Sequence, residues 1–330
     1  NQSLKPASPF TISIEKNDNV IKLLYNYFCY NGKAKQQLTA SAINTYIDCP
    51  LRFYFQYIAK IRETDKVEEE INPLVFGDIL HKALELLYQN HIIKKNRKEV
   101  IASDFKDIVG NIDFFIKEAF KSHFNIAPER KFTFRGNQII ISDVMKRHLQ
   151  RILHFDEKYT PFEVISLEKK KIYFGTLPVK LFGKEREIGI KGIIDRIDIK
   201  NETLRVVDYK TGSIEKTFSH FSELFDHKKA NRKKEILQIL FYVFLLKQSA
   251  LYNANPIIPA LFGIRNISDE DFNPMLQLKS GKQKQWLTAP LLNSLMPEFE
   301  TCIRDVIESI FDKQTPFKQT QKAANCRFCT

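Results

Sequence analysis

The sequence predicts an α/β protein, with a mixed central sheet flanked by helices and a large helical addition before it. Three observations carry this. Apolar residues at helical spacing dominate the first half, most clearly over 73–90, where Leu74, Ile79, Leu80, Ala83, Leu84, Leu86 and Leu87 form one wide face. The period then drops to two: 187–199 and 203–210 alternate, and Lys200-Asn201-Glu202 between them reads as a hairpin turn. Helical spacing then returns over 236–250 and 288–312, with a strand expected between them at 259–267.

In chain order, residues 1–38 read as a lead-in or the remnant of a preceding region, with a short helix over 21–30. Thr39-Ala40-Ser41 offers a helix N-cap ahead of Ile43, Tyr46 and Ile47. Pro50 interrupts, an aromatic helix follows over 52–61, and 63–70 is a charged connector. Helices are expected over 102–125 and 137–157, which makes 95–157 a helical insertion in a main domain running from 39 to 330. A strand is expected over 162–174.

Composition limits the classes of function. The 330 residues carry 43% hydrophobic and 27% charged residues, and this balance argues against disorder. The longest apolar run, 236–246, is too short to span a bilayer and is broken by Gln238, and no secretory signal opens the chain. The chain lacks an initiator Met and is expected to be a piece of something larger. The net charge of +12 favours an anionic partner, nucleic acid first. Two basic runs stand out, HKKANRKK at 227–234 and KSGKQK at 279–284; each also reads as a solvated loop. Five cysteines without a signal peptide point to a reducing compartment.

The chemistry centres on GIIDRID at 192–198 and VVDYKTG at 206–212. Residues two apart on a strand face the same way, so Asp208 and Lys210 share a face, and Asp195 can share it across the hairpin. Two converging carboxylates repel unless a cation lies between them. Mg²⁺ or Mn²⁺ suits such oxygen ligands, and a water acidified on the ion can attack a phosphodiester. A surface hairpin with cross-strand salt bridges would show the same residue types, but Ile193, Ile194, Val206 and Val207 bury this sheet, and charges embedded there need a reason.

With these residues in view, the sequence resembles the RecB/AddB-type nucleases of the PD-(D/E)xK superfamily. The paired motifs match the family core. FGDILHKALE at 76–85 resembles the helix that supplies a histidine metal ligand, here His81. Gln238 and Tyr242 match the Q-x-x-x-Y helix after the core, and SAINTYIDCPLRFYF at 41–55 matches the opening segment with its cysteine. The resemblance covers residues from about 39 to the C-terminus. It implies a restriction-endonuclease-like fold, catalytic Asp195, Asp208 and Lys210, and a metal held by His81, Asp195 and Asp208. It also implies that Gln238 and Tyr242 support the catalytic motif or contact DNA. Glu168 could approach the metal but is the weaker candidate.

The resemblance also reaches the cysteines. Cluster-bearing members hold a [4Fe–4S] group with four cysteines, and Cys49, Cys326 and Cys329 match three of them. With the fourth missing, the expectation is a cluster in the full-length protein and none in this chain; Cys29 and Cys302 fit no ligand pattern and read as small hydrophobes. The implied function is a metal-dependent DNA exonuclease module of a helicase–nuclease that repairs double-strand breaks. It would work in the bacterial cytoplasm at the nucleoid, next to a helicase region or partner subunit and away from membranes. A non-catalytic DNA-binding scaffold and a free-standing CRISPR-adaptation-type nuclease are the alternatives.

Overall fold

The computed structural model describes residues 12–30, 36–61, 71–167, 171–229, 231–250, 252, 254–267 and 272–322. It opens with β1 (Ser13–Ile14), α1 (Asp18–Phe28), α2 (Ala40–Asp48) and α3 (Pro50–Phe53), which passes into a π-helical turn over Tyr54–Ile58. Then come α4 (Pro73–Lys95), β2 (Glu99–Val100), α5 (Phe105–Gly110), α6 (Ile112–His123) and α7 (Asn137–Tyr159). The strands β3 (Phe162–Leu167), β4 (Ile172–Leu181), β5 (Lys184–Ile193), β6 (Arg196–Lys200) and β7 (Thr203–Lys210) follow. The rest is β8 (Thr217–Phe218), α8 (Ser222–Phe225), α9 (Lys234–Lys247), β9 (Ile257–Gly263), β10 (Gln277–Ser280), β11 (Gln283–Trp286), α10 (Ala289–Phe311) and β12 (Phe317–Lys318).

Local chemistry sets several boundaries. Thr39 caps α2, its hydroxyl accepting the Ala42 N–H at 3.1 Å. Asn72 caps α4 through the Leu74 and Val75 N–H groups, Pro73 fills the first turn, and Asn96 ends the helix in the left-handed region at φ 49°. Asn201 and Glu202, both at positive φ, form the two-residue turn between β6 and β7.

The central sheet has the order β2-β3-β6-β7-β9. Every pair is antiparallel except β7 with β9, which α9 joins as a crossover. Alternate residues face two separate cores. Leu204, Val206 and Leu261 join the core that contains α9, α10 and the N-terminal helices. Val207, Tyr209, Ala260 and Phe262 join the core built by α4 to α7. Between Ile236 and Leu246 in α9, Gln238 is the one residue not buried, as suits a helix enclosed on nearly every side.

The α/β class and the mixed sheet with flanking helices match the expectation. Three local readings need correction. The strand expected over 162–174 is two strands in different sheets: β3 pairs with β6, while β4 pairs with β5 in a separate ten-residue ribbon. The strand expected over 187–199 is likewise cut at Ile194–Asp195, where the chain leaves the β4–β5 ribbon and enters the central sheet. The helix expected over 102–125 is broken at Asn111, between α5 and α6. The charged connector at 63–70 lies outside the described residues. The lead-in residues 12–30 pack through Val20, Ile21, Leu24 and Phe28 into the same core as α9.

Candidate active site

The break between β5 and β6 creates the site. Gly192 is required just before it, because a Cβ there would meet Leu245 and Tyr242 side-chain atoms at 2.9 Å. Without a side chain at that point, α9 seats directly on the β5 backbone. Ile194 turns inward, and Asp195 follows in a bend one step before the Arg196–Val207 pair. That step places it across from Asp208 on the same face of the hairpin, as the alternation anticipates.

Each charged group has a distinct setting. Asp195 Oδ2 accepts the Tyr209 N–H at 2.8 Å, and its Oδ1 lies 3.5 Å from His81 Nδ1. Asp208 sits inside β7; its Oδ1 accepts a hydrogen bond from Lys210 Nζ at 3.0 Å. Its Oδ2 lies 2.8 Å from the same ammonium but takes no hydrogen bond from it or from any other described group. His81 projects from α4, and its Nε2 lies 2.9 Å from the Tyr209 carbonyl. A carbonyl only accepts, so Nε2 carries the proton there. In the neutral ring Nδ1 then presents a lone pair toward the Asp195 carboxylate. Only an imidazolium proton or a cation resolves that opposition.

The titration behaviour follows. Burial pushes Asp208 up, Lys210 opposes this, the Asp195 charge reinforces it, and the carboxyl ends at about 6. Burial works the same way on Asp195, but His81 and Lys210 hold it below the ordinary carboxylate range. Burial disfavours the Lys210 ammonium, yet Asp208 and Asp195 outweigh it and raise its pKa. Glu235, on the first turn of α9, adds to that hold. Two carboxylates face one ammonium, so the cluster is one positive charge short whenever both are ionised and His81 is neutral. His81, Asp195 and Lys210 keep 19%, 14% and 25% of their side-chain exposure, whereas Asp208 keeps 1%, so the first three are reached by solvent.

The structure therefore brings Asp195, Asp208, Lys210 and His81 together. Among the described residues, no three His, Cys, Asp or Glu side chains already close into a metal-ligand cluster, and Lys210 supplies the positive charge against Asp208. The residues nevertheless fit a divalent cation: the Oδ2 atom of Asp208 is buried without a hydrogen bond, and the His81 ring faces a carboxylate. Gln238 and Tyr242 bond to each other, Nε2 to hydroxyl at 2.8 Å, and Tyr242 packs on Gly192 at the root of the Asp195 bend. Cys49 is buried where α2 meets α3. Cys326, Cys329 and Glu168 lie outside the described residues. Burial pushes Cys29 and Cys302 up to about 11, in keeping with small hydrophobes.

Sequence reasoning missed two features. The Tyr209 backbone, through its N–H and its carbonyl, orients both Asp195 and His81. Behind the site, Asp156, Arg196, Asp198 and Arg205 form a buried ion network. A small cavity lined by His81, Glu85, Tyr88, Asp195, Arg196 and Tyr209 lies between it and the His81–Asp195 pair. The alternation within 196–205 was the available signal, since it puts Arg196, Asp198, Lys200 and Arg205 on one face of a hairpin whose neighbours are apolar. The 227–234 basic run also proves partly structural. Arg232 is buried and donates to Asn44, to Asp48 and to the Leu224 carbonyl, while Lys229 and Lys233 pair with Glu223.

The family model described as the PD-(D/E)XK nuclease superfamily matches residues 37–330. An ATP-dependent helicase/deoxyribonuclease subunit from Clostridium perfringens is 26% identical over 281 residues, 81% of this chain and 22% of that protein. Its counterpart from Carboxydothermus hydrogenoformans is 27% identical over 190 residues, 54% of this chain and 16% of that protein. An uncharacterized protein of Rickettsia conorii is 27% identical over 224 residues, 64% of this chain and 24% of that protein. The chain thus spans less than a quarter of the length of these relatives. No helix among the described residues is long and apolar enough to cross a membrane.

Proposed function

This chain belongs to the PD-(D/E)XK nuclease superfamily, and we propose that it is the DNA-cleaving module of a helicase–nuclease. In this reading residues 39–330 form the nuclease domain, with 95–157 as its helical insertion, and a helicase region or partner subunit supplies the motor. The module acts as an exonuclease in double-strand break repair, in the bacterial cytoplasm at the nucleoid. The names of the helicase/deoxyribonuclease relatives support the helicase–nuclease context. The observation that carries the reading is the charge-deficient cluster in which the buried Asp208 Oδ2 accepts no hydrogen bond.

His81, Asp195 and Asp208 would hold Mg²⁺ or Mn²⁺. When bound, such an ion supplies Lewis-acid character and an acidified water. Lys210, kept protonated by both carboxylates, presents an ammonium where charge builds on the phosphate. Tyr209 holds Asp195 and His81 from its backbone, so neither side chain needs to reorganise during the reaction. Gln238 and Tyr242 brace the Asp195 bend through Gly192. In the full-length protein Cys49, Cys326 and Cys329 would contribute to a [4Fe–4S] cluster, and no step depends on it.

Cleavage of end-labelled linear DNA tests this. Cutting is expected with Mg²⁺ or Mn²⁺, none with EDTA, and none from Asp208→Ala or Lys210→Ala proteins that still fold. Undiminished cutting in EDTA, or by either variant, refutes it.

A further inference from the structure

We propose that the β10–β11 hairpin is a second nucleic-acid contact, where Trp286 stacks on one base of a single strand and Lys279 and Lys284 hold its phosphates. This deepens the nuclease reading and rests on it for the class of ligand.

The ladder register pairs Gln277 with Trp286 and Lys279 with Lys284. Residues opposite each other in an antiparallel pair share a face, and so do residues two apart. Lys279, Lys284 and Trp286 therefore lie on one face. Leu278 lies on the other, half-buried and packed against the core that contains α9. Two lysines directly across a ladder repel. Among the described residues no carboxylate comes within ion-pair distance of Lys279, Lys284 or the turn residue Lys282. A polyanion removes that repulsion.

Lysines on an outer strand have a blander purpose, since they deter edge-to-edge pairing. An indole does not serve that purpose, yet Trp286 is 42% exposed and is the chain's sole tryptophan. An exposed aromatic flanked by cations is the arrangement that binds single strands: the ring stacks on a base of any sequence and the cations follow the backbone.

The hairpin is firmly set and well placed. Leu276 and Leu287 are fully buried at its two ends and are joined by the Leu287 N–H to Leu276 carbonyl bond at 2.9 Å. Gly281 at φ +59° makes the turn. Strand β10 pairs with β8, the next strand after the one bearing Asp208 and Lys210. Ala260 bridges Met275 on one side and pairs with Val207 on the other. The hairpin root is thus two ladder spacings, roughly 10 Å, from the catalytic strand. A strand leaving the scissile position reaches it within a few nucleotides.

The sole tryptophan makes the test direct. In EDTA, which blocks cleavage, oligo(dT) is titrated against the protein while indole fluorescence and the anisotropy of end-labelled DNA are recorded. Saturable quenching that tracks the anisotropy is expected. Trp286→Ala should weaken binding about tenfold and raise KM with kcat unchanged, and Trp286→Phe should restore most of the loss. Lys279→Ala with Lys284→Ala should lower the salt slope by roughly 1.4, about 0.7 for each phosphate no longer neutralised. Binding seen by anisotropy with no change in indole fluorescence overturns the proposal, as do variants with unchanged affinity and KM. Cleavage that proceeds normally in those variants removes the hairpin contact and leaves the nuclease reading intact. Quenching by a protein that cuts nothing under any metal leaves the hairpin contact standing and removes the nuclease reading.

Discussion

The β6–β7 hairpin carries buried charge on both faces, and the two sets are arranged differently. On one face Arg196 and Arg205 meet Asp156 and Asp198, two cations to two anions. Asp156 accepts from Tyr88 Oη and Arg196 at 2.6 Å through one oxygen, and from Arg196 at 2.8 Å and Arg205 at 3.3 Å through the other. Both Asp198 oxygens accept from Arg205, and the guanidiniums lie over the rings of Tyr88 and Tyr159. On the other face two carboxylates share one ammonium, and a buried oxygen accepts no hydrogen bond. The first set is neutral and nearly satisfied; the second is left short of positive charge. The first set ties helix and strands together with its charges matched; the second leaves a negative charge uncompensated, which is what the proposed cation would offset.

Substitutions can break that contrast. The largest effect is expected for Asp208→Asn: cleavage should fall by about a thousandfold or more, with no loss of melting temperature in EDTA. A cleaving variant, or one that unfolds, would show that the two faces are not separate in purpose. Asp156→Ala should do the reverse. It takes away the carboxylate that accepts two hydrogen bonds from the buried Arg196, leaving Asp198 alone against two guanidiniums, and should cost about 3–5 kcal/mol in urea unfolding. A loss under about 1 kcal/mol would show that the network is dispensable to the fold.

Proton linkage separates the faces more finely. Asp208, pushed up to about 6, has a folded value above its unfolded one. Without metal its contribution to stability is therefore complete below about pH 4 and is lost as pH rises through about 6. Asp156 has the opposite sign. Burial opposes its charge, but Arg196 and then Arg205 hold it below the ordinary range, so its contribution is present at neutral pH and is lost as acid protonates it. Melting curves in chelator across pH 4 to 7 should show wild type losing ground to Asp208→Asn as pH rises. A constant gap would remove the linkage argument. The smallest effect should come from Tyr242→Phe, which deletes the Gln238 bond at a cost of about 0.5–1.5 kcal/mol. Cleavage should drop less than tenfold, whereas Gly192→Ala, which forces α9 outward, should lower both stability and activity further.

The convergence of Asp195, Asp208 and Lys210 was legible in the sequence because it depends on local geometry. Period two puts Asp208 and Lys210 on one face, and a two-residue turn at Asn201–Glu202 brings Asp195 across from them. Nothing beyond neighbouring residues is needed. His81 was legible only through its motif, since the group it touches, the Tyr209 carbonyl, lies 128 residues away. Tertiary structure alone decided the rest. Whether 187–199 runs as one strand depends on which partner each half finds, and β4 and β3 claim different halves. Asp156 reaches Arg196 from α7 only because the helical layer packs on that face of the sheet, and Arg232 left a basic run for the interior because Asn44 and Asp48 wait there. The pattern of a strand specifies which side chains share a face; what lies opposite that face is set by packing between elements far apart in the chain, and a buried charge takes its meaning from that partner.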